Sequence, residues 1–189
     1  MKEKLYYDQV ASDLIKTVKW RRNIELSWRL ELIIPFALLA YGLWLLYEVL
    51  LVSLVILIVP AFNAARLAVS LFRYKRLINM LSGEGLREKI TLSREVFSHA
   101  TKEQIFVPRI YGRLSHINIY RTAPVFSFRS GAEWQIPIIK EHYSWSGIYN
   151  MPERGLYDTT LVGDEVYLFT LNADRTVRYA YNTKLFELQ

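Results

Sequence analysis

The sequence predicts a membrane-anchored α+β protein: an N-terminal amphipathic helix, a two-helix transmembrane hairpin and a C-terminal antiparallel β-barrel or small sandwich domain. Three observations predict this class. From residue 32 to residue 65 the only charged side chain is Glu48; helically spaced apolar residues precede this stretch; and short β-branched and aromatic runs follow it. At 189 residues the chain has room for one ordinary domain plus such an anchor.

Residues 1–29 are expected to form the amphipathic helix. Its apolar residues follow three-and-four spacing, which places them on one stripe: Tyr7, Val10, Ala11, Leu14 and Val18. Two placements remain open. The helix lies on the inner leaflet with its basic residues against lipid headgroups, or it packs on the C-terminal domain.

The nearly uncharged run is too long for one ordinary membrane span. As a single helix, residues 32–65 would extend about 51 Å, whereas the hydrocarbon core of a bilayer is about 30 Å thick. A hairpin within residues 30–76 removes this mismatch, with helices over 30–46 and 49–72 and a turn near Tyr47-Glu48. One long tilted span and a re-entrant or interfacial hairpin remain alternatives.

Aromatic and basic residues predict the orientation of the hairpin. Trp28 and Tyr74 would lie at one membrane face, with Tyr41, Trp44 and Tyr47 at the other. Basic residues flank both ends of the run and are absent from the proposed loop, so the positive-inside rule predicts an integral membrane protein with both termini and the C-terminal domain in the cytoplasm. The basic residues expected to face the lipid are Lys16, Lys19, Arg21, Arg22, Arg73, Lys75 and Arg76.

A helical linker and glycine hinge is expected over residues 77–88, because Ser82-Gly83-Glu84-Gly85 holds two glycines within three residues. Residues 89–189 then form a soluble, mostly-β domain of about six to eight strands. Its clearest unit is a hairpin in which two apolar runs flank a four-residue loop, Asn172-Ala173-Asp174-Arg175.

The search for chemistry predicts no catalytic residue, no cofactor and no metal site. The chain has no cysteine, which excludes disulfides and thiolate chemistry. His99, His116 and His142 lack the spacing of metal ligands on one helix face. The basic excess lies in residues 1–76, with 11 Lys or Arg against 6 Asp or Glu, so it indicates anionic lipid as the partner and not nucleic acid.

The predicted function is therefore a membrane-tethered, non-enzymatic β domain that binds a protein partner, forms a homo-oligomer or completes a larger assembly. Tyr143, Trp145 and Tyr149 are the predicted partner surface, because they precede the longest predicted loop. One alternative is a membrane-surface enzyme or processing factor whose site assembles only in three dimensions. Another is a subunit of a pore or transporter assembly, with small and polar residues packing between helices: Gly42, Ser53, Asn63 and Ser70.

Overall fold

The computed structural model of the chain describes residues 2–45, 50–104, 122–135 and 160–189. Two long helices, α1 (Tyr7–Leu45) and α2 (Leu50–Leu81), form a hairpin. They run antiparallel, because Glu25 contacts Ser70 whereas Arg29, further along α1, contacts Asn63. This excludes one continuous tilted helix. The predicted turn at Tyr47-Glu48 lies outside the described residues.

Both helices are long and apolar enough to cross a membrane. Large apolar side chains on their surface are open to solvent, with Leu38 62%, Leu51 78% and Phe72 76% exposed. Ala40 and Ser53 are by contrast nearly inaccessible. Among the described residues, the exposed large hydrophobic side chains lie between residues 28 and 72, apart from Tyr6, Leu161 and Val162.

The strands of the β domain are β2 (Ile90–Gln104), β3 (Thr122–Phe128), β4 (Glu133–Gln135), β5 (Glu165–Leu171) and β6 (Asp174–Asn182). They form one five-stranded antiparallel sheet in the order β4-β3-β2-β5-β6. Residues 90–96 of β2 pair with β5, and the strand then continues as the partner of β3, with an irregularity between Phe97 and His99. Such a bulge bends a strand and increases its twist, so the sheet curls.

The described strands curl toward closure without completing a barrel. Strands β4 and β6 remain the edges of the sheet. On β6, Arg178 places its guanidinium carbon 4.8 Å from the ring centre of Trp134 on β4, and it donates to the Glu133 carbonyl oxygen at 3.4 Å. The predicted antiparallel sheet is confirmed, whereas a closed barrel is not shown, because side chains and not ladder hydrogen bonds join the two edges.

Side chains that alternate along the strands create two apolar faces. Strand β5 contributes to both, with Val166 and Leu168 on the inner face and Tyr167, Phe169 and Leu171 on the outer face. The inner cluster lies within the curl and contains Phe97, Phe126, Phe128, Val166, Leu168 and Ala180. The outer face is the one that receives the helices.

The N-terminal half of α1 packs on this outer face. Val10, Leu14 and Val18 have no accessible surface, and they belong to the same cluster as Phe169. The Tyr7 ring meets the Phe169 ring edge-on, with 6.2 Å between ring centres. Of the two predicted placements of the amphipathic stripe, the structure forms the one in which it packs on the C-terminal domain.

The two chain ends also meet, because β1 (Glu3–Leu5) and β7 (Phe186–Leu188) pair in parallel. Sequence analysis missed this pairing and placed residues 3–5 in the helical segment. The helix α1 continues without interruption through residues 29 and 30, where the sequence divided anchor from N-terminal helix. The division of the chain into domains stays a prediction.

Two predicted turns differ in detail from the structure. The β5–β6 loop has two residues, Asn172 and Ala173, and not four, because Asp174 already pairs with Leu171. At the predicted hinge, α2 ends at Leu81 and a short helix, α3 (Leu86–Lys89), begins after Gly85, whose φ of 72° suits glycine. The Lys89 ammonium donates to the Met80 and Glu84 carbonyl oxygens at 3.1 and 2.6 Å, which caps the end of α2.

Candidate functional site at the junction of helices and sheet

A polar stripe follows α1 at four-residue spacing and consists of Asp13, Thr17, Arg21, Glu25 and Arg29. Four residues rotate a helix by about 400°, so the stripe moves about 40° around the helix per step and about 160° in all. It therefore begins on the side of α1 that meets the sheet and ends on the side that meets α2.

At its first end, the stripe joins α1 to β6. The Tyr181 hydroxyl donates to the Asp13 carboxylate at 2.6 Å, and the Lys16 ammonium donates to the other Asp13 oxygen at 2.8 Å. Burial raises the pKa of Tyr181, and the neighbouring Asp13 carboxylate raises it further. The phenol is therefore held in its protonated form as a hydrogen-bond donor.

In the middle of the stripe, the β5–β6 turn contacts both helices. Arg73 of α2 binds the Asp174 carboxylate at 2.5 Å, and Arg21 of α1 lies within electrostatic range of the same carboxylate. Burial opposes ionisation of Asp174, but hydrogen bonds from the Thr176 hydroxyl and N–H and the Arg73 guanidinium outweigh burial and lower its pKa. The turn is thus held by charge at the point where α1, α2 and β6 meet.

At its far end, the stripe joins α1 to α2 around Glu25. The Glu25 carboxylate accepts from Arg29 Nε at 3.0 Å, from the Ser70 hydroxyl at 2.7 Å and from the Tyr74 hydroxyl at 2.8 Å. Arg29 also donates to the Asn63 side-chain oxygen at 3.0 Å. This Glu25 network fixes the register of the helix pair, since the hydrogen bonds that cross to Asn63, Ser70 and Tyr74 are lost if one helix slides by a turn.

The four small or polar residues singled out for interhelical packing fall into two groups. Asn63 and Ser70 bond to α1 of the same chain, and Ser53 is buried. Gly42 is exposed, with no atom within 4 Å of the position that a Cβ would take. Asn63 and Ser70, which the sequence pattern assigned to packing in an assembly, therefore stabilise the hairpin within one chain.

The seven basic residues predicted to face lipid do not share one environment. Lys16 and Arg73 bind carboxylates, Arg22 contacts Asn23, and Arg21 is partly buried. The exposed members are Lys19, Arg73, Lys75 and Arg76. Their contact with lipid headgroups stays a prediction.

The predicted partner surface, Tyr143, Trp145 and Tyr149, lies outside the described residues, as do His116 and His142. His99 is exposed on β2, beside the Ser98 hydroxyl at 3.5 Å. In the described ranges, no three His, Asp or Glu side chains are grouped so that they could hold a metal ion.

Sequence analysis missed the polar stripe as a unit, although its signal is present. The spacing Asp13-Thr17-Arg21-Glu25-Arg29 is readable as one helical row, but the amphipathic pattern drew attention to the apolar row beside it. Comparison with known protein families, with curated proteins and with solved structures finds no match for this chain.

Proposed function

We propose that this protein is a membrane-anchored, non-enzymatic interaction or assembly module whose helix hairpin lies in the bilayer and whose β domain lies at the cytoplasmic face. The observation that carries the proposal is the apolar surface of the hairpin. Leu38, Leu51 and Phe72 are more than half exposed, and such residues recur along both helices. A continuous apolar surface of this extent on a soluble monomer is exceptional, whereas lipid accommodates it without cost.

The length of this surface also fits a bilayer. On α2, residues 51–72 extend about 33 Å at the rise of an α-helix, close to the hydrocarbon thickness of about 30 Å. Arg66 lies within this stretch, and its guanidinium carbon is 5.6 Å from the Phe62 ring centre. A side chain lying along apolar surface in this way suits an arginine that reaches toward the headgroups.

The contacts of the polar stripe support a fixed relation between anchor and β domain. Asp13 binds β6, Arg73 binds the β5–β6 turn, and Glu25 binds α2. Because α1 belongs to both the sheet packing and the hairpin, the orientation of the hairpin in the bilayer would set the orientation of the β domain. A partner at the membrane surface would then meet the same face of the domain on each molecule.

Cysteine accessibility tests the location, because the native chain has no cysteine. Single cysteines replace three residues in turn. Ser12 and Gln189 are exposed and lie on the side of the molecule that holds the β domain, and Tyr47 is at the predicted turn of the hairpin. A membrane-impermeant thiol reagent on intact cells is expected to label only the Tyr47 site. Labelling of Ser12 and Gln189 would show the reverse orientation, and labelling of Tyr47 only after detergent would show a re-entrant hairpin.

Photocrosslinking tests the interaction function. A benzophenone amino acid at Tyr143, Trp145 or Tyr149 is expected to give a protein adduct of one defined mass in intact membranes, whereas the same amino acid at the exposed Tyr41 of the hairpin gives none of that mass. The absence of a defined adduct at all three positions would contradict this partner surface.

A further inference from the structure

We infer that the β5–β6 turn and the adjoining helices bind the phosphate of an anionic phospholipid headgroup. The inference rests on the proposed membrane anchoring and names the lipid class that this end of the β domain recognises. The site is an arginine cluster (Arg21, Arg73, Arg175 and Arg178) near the β5–β6 turn, in which Arg73 binds Asp174, Arg175 follows Asp174 in sequence, and Arg178 Nε donates to the Arg175 carbonyl oxygen. Arg175 and Arg178 belong to the β domain, so the cluster extends beyond the basic residues that flank the hairpin in the sequence.

The arginine cluster has an excess of positive charge. Arg73, Arg178 and Asp174 lie close enough to Arg21 to act on it electrostatically, and Asp174 is the carboxylate in that group. One carboxylate offsets one of these cations. The Arg73 side chain remains 63% exposed although it binds Asp174, so part of its guanidinium stays open to a second anion. A phosphate group has several acceptor oxygens, and the planar fork of donors on a guanidinium matches it with two parallel hydrogen bonds.

The position of the arginine cluster along the hairpin matches the depth of the lipid headgroups. Phe72, which is 76% exposed, immediately precedes Arg73, so the arginine cluster begins where the apolar surface of α2 ends. The headgroup layer continues for about 5 to 8 Å beyond the hydrocarbon on each side of a bilayer. Arg175 is exposed and directly follows Asp174, the residue that Arg73 binds. The cluster is therefore at the level of the lipid phosphates when the hairpin is inserted.

Contacts within the protein already hold the Arg178 side chain in place. The Arg178 guanidinium lies over the Trp134 ring, 4.8 Å from its centre, and its Nε donates to the Arg175 carbonyl oxygen at 2.5 Å. These contacts restrict the side chain before any ligand binds. Less conformational entropy is then lost when the cluster meets a phosphate, which favours binding at a defined place over diffuse attraction.

The test compares two exposed arginines that lie at opposite ends of β5. Arg175 belongs to the cluster, next to the C-terminal end of β5. Arg129 lies in the β3–β4 turn, and its backbone N–H donates to the Val96 carbonyl oxygen. Val96 pairs with Glu165, the first residue of β5, so Arg129 is near the other end of that strand. Full-length wild type, Arg175→Gln and Arg129→Gln are reconstituted in phosphatidylcholine bilayers. Association of spin-labelled phosphatidylglycerol is measured relative to spin-labelled phosphatidylcholine by electron paramagnetic resonance.

Wild type is expected to prefer phosphatidylglycerol, and Arg175→Gln to lower the relative association constant about fivefold, the usual contribution of one basic residue at a membrane surface. Arg129→Gln should leave it unchanged. Equal values for the three proteins would overturn the inference, as would full competition by 10 mM inorganic phosphate, which would make the cluster a site for free phosphate. A chain that inserts normally but shows no preference refutes this inference alone; a chain that does not insert refutes the proposed function.

Discussion

The two halves of α1 have similar apolar residues and opposite environments. Leu14 in the first half is fully buried against the sheet, whereas Leu38 in the second half is 62% exposed. The helix is continuous between them, so neither backbone conformation nor residue type explains the difference. What differs is the neighbour: the outer face of the sheet covers the first half, and in the described structure α2 alone lies along the second. The burial of a leucine on α1 thus depends on its tertiary contacts and not on its residue type.

The largest expected effect comes from shortening the buried leucine of the first half of α1. Leu14→Ala should lower the free energy of unfolding of the full chain in detergent by about 2 to 5 kcal/mol, because it leaves a cavity in a packed core. Leu38→Ala removes the same atoms from an exposed site and should change it by less than about 0.5 kcal/mol. Urea unfolding followed by tryptophan fluorescence measures both. Equal losses would mean that the two halves of the helix are packed alike.

A charge placed in the second half should produce the next largest effect. Leu38→Lys is expected to raise the free energy of membrane insertion by about 3 kcal/mol, since lysine in the middle of a span is costly. Ser12→Lys adds the same charge to an exposed position in the first half and should leave insertion unchanged. The fraction resistant to alkaline carbonate extraction reports insertion. If both variants are extracted equally, the second half of α1 does not face lipid.

The boundary between the halves is tested by Glu25→Gln. The substitution removes the charge that organises Arg29, Ser70 and Tyr74 and replaces one acceptor oxygen by a donor, so the free energy of unfolding should fall by about 1 to 3 kcal/mol. Glu187→Gln, at an exposed position on β7, is the matched control and should have little effect. Thermal unfolding in micelles measures both, and a change no greater than that of the control would show that the Glu25 network does not hold the helices together.

The smallest expected effect concerns pH. Hydrogen bonds from Lys184, the Leu161 N–H and Asn182 lower the pKa of Asp164, and Arg73 with Thr176 lowers that of Asp174 despite its burial. A carboxyl with a lowered folded-state pKa stabilises the fold fully above its unfolded pKa of about 3.9, and this stabilisation is lost as the pH falls through the folded-state pKa.

Unfolding free energies at pH 6 and pH 3 check this prediction. Asp164→Asn and Asp174→Asn should each reduce the difference between the two pH values relative to wild type. Asp164 reports on the sheet alone, because its partners are Lys184, Leu161 and Asn182, whereas Asp174 also reports on the contact with α2. An unchanged difference in Asp174→Asn would mean that the ionised Asp174 carboxylate, with its contacts to Arg73 and Thr176, adds nothing to stability at neutral pH.

Local patterns accounted for much of the fold and for little of the candidate site. The apolar run and its length predicted two antiparallel helices, and the alternation around Val166–Leu171 predicted the strands of the last hairpin. The loop length was wrong, because Asp174 takes hydrogen bonds from Thr176 inside the strand, a local interaction that residue type alone does not specify. The lipid-facing residues and the surface at Tyr143, Trp145 and Tyr149 stay predictions.

By itself the sequence determined where the chain is apolar and how its helices and strands are patterned, because side chains return to the same face every 3.6 residues in a helix and every 2.0 in a strand. Only the tertiary structure decided that the amphipathic stripe packs on the sheet, that β1 pairs with β7, and that Arg21, Arg73 and Asp174 meet. Each of these joins residues far apart in sequence, and the free energy that selects one such pairing over another lies in the fit of the two surfaces.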